Sequence, residues 1–327
     1  MRSFRTSRGW ARATVATLAG IVAIGVTACG SSSDATTDAD GESITIGHAR
    51  GETTITGVPE KIVVLGNQWL DTSLALGVTP AAYVDNVAVL SKDAPAWQPP
   101  IDESAEQLNT TGNLAEQIAA LEPDLILADT FIADQKNYDD FSKIAPTLPG
   151  LAEEITTPWQ DLVTALGRIL NKQDQATTLI DDVEDKIDSL AAANPGLQGK
   201  TFASTWLAGP TQLMVLIDPN DGSAKQFAKL GLRIPENLLA LNATQGRAML
   251  SPERIDELTA DVLLAGYAPE MDEKYRQLPG YAQLPAVEKD AVVFLSTQEI
   301  TAVNQPTVLS IPYILDTITP ALTNAAK

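Results

Sequence analysis

The chain has 327 residues, 42 of them acidic and 22 basic, for a formal net charge of −20, with one histidine and one cysteine. So strong an acidic excess argues against nucleic acid as a partner and leaves no basic patch for an anionic membrane surface. One cysteine allows no disulfide and no cysteine-based metal or iron–sulfur site, and one histidine cannot supply a site of several nitrogen ligands.

Residues 1–28 read as a secretory signal peptide. MRSFRTSRGWAR carries four arginines and no acid, and the apolar run that follows, 13–28, is shorter than the roughly 20 residues needed to span a bilayer. The run ends in VTACG, which resembles the lipobox of bacterial lipoproteins, so Cys29 is expected to become the lipidated first residue and the only membrane attachment. Cleavage there would take the formal charge to −24 and leave six arginines. Residues 29–43 are small, polar and acidic (GSSSDATTDADGES) and are expected to form a disordered tether.

Residues 44–156 read as an α/β lobe. ITIGHARGETTITG alternates apolar and polar residues around Gly51, the pattern of a β-hairpin, and Pro59 introduces the buried strand KIVVLG, 61–66. AAYV (81–84), DLILA (124–128) and IAPTL (144–148) continue the grammar of a parallel sheet covered by helices. Residues 157–196 form the longest helical segment. Thr157 is placed as N-cap, Pro158 at the first helical position and Gln160 to complete a capping box. Leu162, Leu166 and Ile169 make an apolar face that resumes, after a break near Asn171, at Ala176, Leu179, Val183, Ile187 and Leu190. Asn194-Pro195-Gly196 ends it. A strut between two lobes and an ordinary packed helix pair both fit this pattern. In residues 197–327 the strands TFASTW (201–206), TQLMVLI (211–217), DVLLAG (261–266) and AVVFLS (291–296) form a second set.

The two sets share an internal repeat: EQIAALEPDLILAD, 116–129, aligns without gaps on ERIDELTADVLLAG, 253–266, with six of fourteen positions identical. Each copy is predicted as a short helix opening on a glutamate, a tight turn and a buried strand. The hairpin running into VPEKIVVLG, LEPDLIL with KIAPTLP after it, the long central helix and SPERIDELTADVLL, in this order, resemble the iron–siderophore class of ABC-transporter substrate-binding lipoproteins. The resemblance covers nearly the whole chain beyond the signal peptide. It implies two Rossmann-like α/β lobes with mainly parallel sheets, joined by a long rigid helix, with a ligand cleft between them and small closure.

Catalysis is not expected: His48 falls in the predicted hairpin, and no nucleophile elbow, Walker loop or dinucleotide fingerprint is present. No resident cofactor or metal site is expected, and iron would enter only inside a chelator. In open α/β sheets ligands sit beyond the carboxyl ends of strands. Those positions are Asn67, Gln68 and Trp69, Tyr83 and Asp85, and Thr130 and Phe131 in the first lobe, with Trp97 capping the rim. In the second lobe they are Trp206, Met214, Tyr267 and Thr297, with Arg247 in a loop before a helix as the principal cation. Each aromatic fits core packing as well as ligand contact. Aromatic and amide character with few cations suits a large amphipathic ligand of low charge. The expected function is a monomeric, lipid-anchored receptor on the extracytoplasmic face that delivers a ferric siderophore, a hydroxamate rather than a catecholate, to an ABC permease and its ATPase. Heme or a corrinoid, and a non-transport envelope adaptor or sensor, fit the same features. Glu116 and Glu253, matched in the repeat after Asn113 and Ser251, have two readings. Each serves its helix dipole, or the pair meets arginines of a two-fold permease as the resemblance implies.

Overall fold

The computed structural model describes residues 43–152, 156–242 and 244–327. The expected signal peptide, Cys29 and the tether up to residue 42 lie outside the described residues. Strands β1 (Ser43–His48) and β2 (Gly51–Thr56) form the antiparallel hairpin, with Ile46 and Ile55 turned into the core. His48 sits at its turn, with Nε2 3.0 Å from Thr53 Oγ1.

The first sheet is built from β3 (Ile62–Leu65), β4 (Ala82–Val84), β5 (Glu106–Gln107), β6 (Leu125–Ala128) and β7 (Thr147–Leu148), in the order β5-β4-β3-β6-β7, all pairs parallel. Every residue of β3 and β6 is buried, as continuous apolar strands covered on both faces must be. The covering elements include α1 (Asn67–Ala75), α2 (Asn86–Ser91), α3 (Leu114–Leu121) and α4 (Gln135–Phe141). β5 carries no apolar signal, being an exposed edge of two polar residues, and the sequence did not mark it.

The long helical segment is two helices, α5 (Trp159–Ile169) and α6 (Gln173–Ala193). Between them Asn171 takes φ 55°, the left-handed conformation that asparagine tolerates. α5 buries Trp159, Leu162, Val163, Leu166 and Ile169 and packs on α1 and β1. α6, about 30 Å long, packs on α5 at one side and reaches helices of the second lobe at the other. The capping box expected at Thr157 does not form. Pro158 is itself extended (ψ 124°) and the helix starts one residue later. Thr157 Oγ1 instead accepts from Leu151 N at 3.0 Å, and Gln160 Nε2 donates to Glu184 Oε1 at 2.7 Å.

The second sheet contains β8 (Phe202–Gly209), β9 (Gln212–Leu216), β10 (Arg247–Leu250), β11 (Val262–Tyr267) and β12 (Val292–Leu295), in the order β10-β9-β8-β11-β12. β8, β11 and β12 pair in parallel, as expected, and the one reversed strand is β9, which pairs antiparallel with β8 on one side and β10 on the other. Two residues connect β8 to β9, far too few for a parallel crossover. Arg247 opens β10 rather than sitting in a loop before a helix. Around the sheet lie α7 (Gly222–Lys229), α8 (Glu236–Leu239), α9 (Asp272–Arg276), α10 (Pro285–Glu288), α11 (Thr297–Asn304) and α12 (Ser310–Ala325).

The internal repeat has a concrete use. Asp124, just before β6, accepts the backbone N–H groups of Glu60 and Lys61 at the entry to β3, at 2.8 and 2.9 Å. Its counterpart Asp261, just before β11, accepts from Thr201 N and Oγ1 at the entry to β8, both at 2.9 Å. Each lobe thus clips its central strand pair with the same carboxylate. The helical half of the repeat diverges: α3 is α-helical and capped by Asn113, whereas Pro252–Glu257 is a 3-10 turn in which Ser251 makes no side-chain cap.

The lobes meet at a buried acid. Asp71 of α1 is fully buried and accepts from Thr307 Oγ1 (2.6 Å) between α11 and α12, from Trp97 Nε1 (2.9 Å) and from Gln98 Nε2 (2.7 Å). A second bridge runs from Gln298 Nε2 on α11 to Ser91 Oγ (2.9 Å) and Asp93 O (2.8 Å) after α2. Below α1, the equally buried Asp129 accepts the N–H groups of Gln68 and Trp69 at 3.0 and 3.1 Å. The turn that makes room for it needs glycine: Gly66 has φ 108°, and a Cβ there would lie 2.3 Å from Asp129 Oδ2.

Two expectations follow. Burial opposes the charge of Asp261, but Lys289 and the two bonds from Thr201 outweigh it and hold the carboxyl at about 2, below the ordinary 3.8. The stabilisation is therefore present above about pH 4 and lost as pH falls through 2. Asp261→Asn is expected to cost about 1–2 kcal/mol in urea denaturation at pH 7, with the difference from wild type shrinking below pH 4. Burial, against their hydrogen bonds, pushes Asp71 up to about 6 and Asp129 up to about 7. The folded protein holds these protons more tightly than the unfolded chain, so that contribution is complete below about pH 4 and lost as pH rises through 6 and 7. Melting followed by circular dichroism should give a higher midpoint at pH 5 than at pH 8, with a smaller difference in Asp71→Asn.

Candidate functional site

The antiparallel half of the second sheet presents one face toward the first lobe. Cross-strand register places Trp206 opposite Met214 and Met214 opposite Met249, and the neighbouring row places Leu216 opposite Arg247. Because partners in register share a face, these side chains form a short apolar platform with one guanidinium at its side. α11 walls it with Thr297, Ile300 and Asn304, and Leu90 of α2, 63% exposed, enters from the first lobe. The cavity that these residues line, Met249 apart, has a volume of about 320 Å³. Four of the residues expected from sequence, Trp206, Met214, Arg247 and Thr297, are brought together here.

Arg247 is not a free cation. Its Nη1 donates to Asp221 Oδ2 at 2.9 Å and its Nη2 to Asn304 Oδ1 at 3.1 Å, so both ends of the guanidinium fork are held by protein. Beyond this bridge lies a second cavity of about 410 Å³. It is formed between the segment 156–160 that opens α5 and the second-lobe residues Asp218–Gly222, Lys225, Gln226, Lys229, Gln245, Gly246 and Pro306. Trp159 and Gln226 are among its lining residues, and their Nε1 and Oε1 atoms are buried without a hydrogen-bond partner.

Most first-lobe expectations meet a structural role instead. At the end of β3 the chain turns at Gly66 directly into α1, and the first-turn side chains pack back into the lobe. Asn67 Nδ2 donates to Asp85 Oδ1 at 2.8 Å, and its Oδ1 accepts from Val87 N. Gln68 clips the segment before α5, donating to Thr157 O and accepting from Thr157 N. Trp69 is fully buried in the core. None of the three faces the cavities. Asp85 caps α2 through Ala88 N at 2.8 Å, and with Tyr83 it lines a cavity of about 550 Å³ formed wholly by residues 83–107 of the first lobe. Trp97 is committed to Asp71, and its ring lies 5.8 Å from that of Tyr313 on α12, so it braces the lobe junction rather than capping a rim. Thr130 Oγ1 is buried without a partner against Gly150, where a Cβ would come within 1.9 Å of it. Phe131, 45% exposed, offers an aromatic surface on the first lobe.

Tyr267 is corrected by strand alternation. Gly266 is the residue in register with Trp206, so Tyr267, one position on, projects from the opposite face. There it joins Tyr275, Tyr281 and Phe294, with the Arg276 guanidinium 3.4 Å from the Phe294 centroid. The sequence reading missed Leu90, Met249, Asn304 and Asp221. Met249 was findable, since in RAML it alternates with Arg247 once the segment is taken as a strand. Leu90 and Asp221 come from distant parts of the chain and carry no local signal. Among the described residues no cluster of three or more His, Cys, Asp or Glu is placed to hold a metal ion, and no helix is long and apolar enough to cross a membrane.

Comparison with known proteins places this architecture. The chain is 28% identical over 228 residues, 67% of each chain, to the "Probable siderophore-binding lipoprotein YfiY" of Bacillus subtilis. It is 34% identical over 148 residues, 44% of this chain and 45% of the other, to the Fe(3+)-citrate-binding protein YfmC of the same organism. The crystal structure of a periplasmic solute binding protein from Mycobacterium smegmatis matches with a TM-score of 0.71 at 28% identity, covering 87% of this chain and 99% of that one. With residues 62–299 matching it, the chain belongs to the periplasmic binding protein family.

Proposed function

We propose that this protein is the receptor of an ABC importer, anchored through lipidated Cys29 on the extracytoplasmic face, that captures a ferric siderophore and hands it to a membrane permease. The chain is a binding protein and not an enzyme by family, and relatives named for a siderophore and for ferric citrate support an iron chelate as cargo. The observation that carries the reading is the interlobe cavity in which Trp206 and Met214 form a platform beside an arginine already neutralised by Asp221. A chelator that saturates the iron asks the protein for surface and hydrogen bonds rather than metal ligands, and Trp206, Met214 and Thr297 supply both. Leu90 in the cavity lining and Met249 in register with Met214 are exposed apolar side chains that a large ligand would cover. Because the arginine's charge is already matched, the preferred chelate is one of low charge, a ferric hydroxamate.

The permease-facing half of the proposal rests on Glu116 and Glu253. Both side chains are exposed, one in the first turn of α3 and the other on the 3-10 turn after Ser251, at matched places in the repeat. The pair is spread over both lobes, so its spacing reports their relative position to a two-fold partner.

Two measurements test these assignments. Tryptophan fluorescence titration should show tight binding of a neutral ferric trihydroxamate that depends weakly on salt, and Trp206→Ala should weaken it by about ten- to hundred-fold. Tight binding of a trianionic ferric catecholate with no response to hydroxamates would refute the ligand class. Replacing Glu116 and Glu253 together by glutamine should leave melting temperature and ligand affinity near wild type while cellular uptake collapses. Normal uptake would refute the docking role.

A further inference from the structure

We infer that Asp221 sets the charge selectivity of the cleft by holding Arg247 as an internal ion pair. This inference rests on the receptor reading above and deepens it by assigning the discrimination between charged and neutral chelates to Asp221. The geometry is specific. Asp221 ends the turn Asp218–Asp221 and caps α7, its Oδ1 accepting from Ser223 N at 2.9 Å and Ser223 Oγ at 2.5 Å. That fixes the carboxylate, and leaves Oδ2 aimed at Arg247 Nη1 at 2.9 Å. Asn304 on α11 takes Nη2 at 3.1 Å. The side chains are about a quarter and a fifth exposed, 25% and 19%, so the pair is little screened by solvent.

Among the described residues Arg247 is the one cation lining the platform cavity, and Asp221 lines the other cavity, so the pair stands as a wall between them. The lysines of the second cavity do not replace it. Lys229 is engaged by Glu184 at 2.5 and 2.6 Å, and Lys225 is an exposed side chain that shares its cavity lining with Asp218 and Asp221. A carboxylate or catecholate oxygen arriving at Arg247 therefore meets a guanidinium whose Nη1 is held by Asp221 and the Gly246 carbonyl, whose Nη2 already donates to Asn304, and which has a carboxylate of the newcomer's own sign beside it. A neutral chelate meets no such repulsion. Removing the charge of Asp221 while keeping its cap would convert Arg247 into an anion anchor without altering the platform. This is selectivity by an element built against the wrong ligand.

The test measures the ratio of affinities for ferric citrate and for a neutral ferric trihydroxamate, by fluorescence quenching at low salt, in wild type, Asp221→Asn, Arg247→Gln and the double variant. Asparagine is nearly as good an N-cap as aspartate, and Asp221→Ser, also a good cap, serves if the first variant does not fold. The ratio is expected to shift toward citrate by about ten-fold in Asp221→Asn, with a steeper salt dependence, and the shift should vanish in the Arg247→Gln background. A shift of two-fold or less, or one that survives without Arg247, overturns the inference. Wild-type protein that responds to neither chelate overturns the receptor reading, and this inference falls with it.

Discussion

The structure depends on how the carboxylate of Asp71 is satisfied. A carboxylate with no exposed surface is tolerated only where donors surround it. Here three donors come from two places: Trp97 and Gln98 in the proline-rich loop of the first lobe, and Thr307 between the last two helices of the second. Thr307 is fixed in turn, since its N–H donates to Ser310 Oγ and its hydroxyl accepts from Ser310 N. The acid thus ties α1, the loop 92–101 and the start of α12 to one point. The relative position of the two sheets, and with it the shape of both interlobe cavities, follows from that junction together with the Gln298 bridge to Ser91.

Within that frame the character of the cleft comes from strand geometry. The two-residue turn after β8 forces β9 to run antiparallel to it, β10 pairs antiparallel on the far side of β9, and this register brings Trp206, Met214 and Met249 into one row. Had the connection been a crossover, these residues would have no reason to share a face. Glycine at 266 keeps the row low beside the platform, because a Cβ there would lie 2.6 Å from Ile300 Cγ1 and Thr205 O. The same alternation sends Tyr267 to the far side. The electrostatics of the site are then decided by a helix cap: Asp221 is present because α7 needs its first N–H groups satisfied, and its second oxygen meets Arg247.

The two lobes carry traces of a common unit, and the part that is kept is the part that folds the lobe. Asp124 and Asp261 clip the entries of β3 and β8 in the same way, whereas the helices before them have drifted, one α-helical and capped, the other a 3-10 turn. An interaction that holds a central strand pair has one geometry that works, while a surface helix end has several. The matched glutamates sit on the drifted part, so local helix capping does not explain both.

Much of the architecture was legible in the chain because it is written in short-range patterns. The hairpin shows in the alternation around Gly51, the parallel strands in the apolar runs KIVVLG, LILA and VLLAG, and the break between α5 and α6 at Asn171. Three of the first-lobe candidates are turned inward for a physical reason of the same kind. A strand's carboxyl end is a favourable place for a ligand, but Asn67, Gln68 and Trp69 enter a helix in the next residue, and their side chains are taken by Asp85, Thr157 and the core. What the sequence by itself determined is the element order, the buried strands, the scarcity of cations and the residues available to a cleft. What only the tertiary structure decided is which of them meet: Arg247 with Asp221 and Asn304, Asp71 with Thr307, Leu90 with the Trp206 platform. Those partners are 26 to 236 positions apart where they bond directly, and periodicity carries information over a few turns of chain, whereas such encounters are set by register and packing of whole elements.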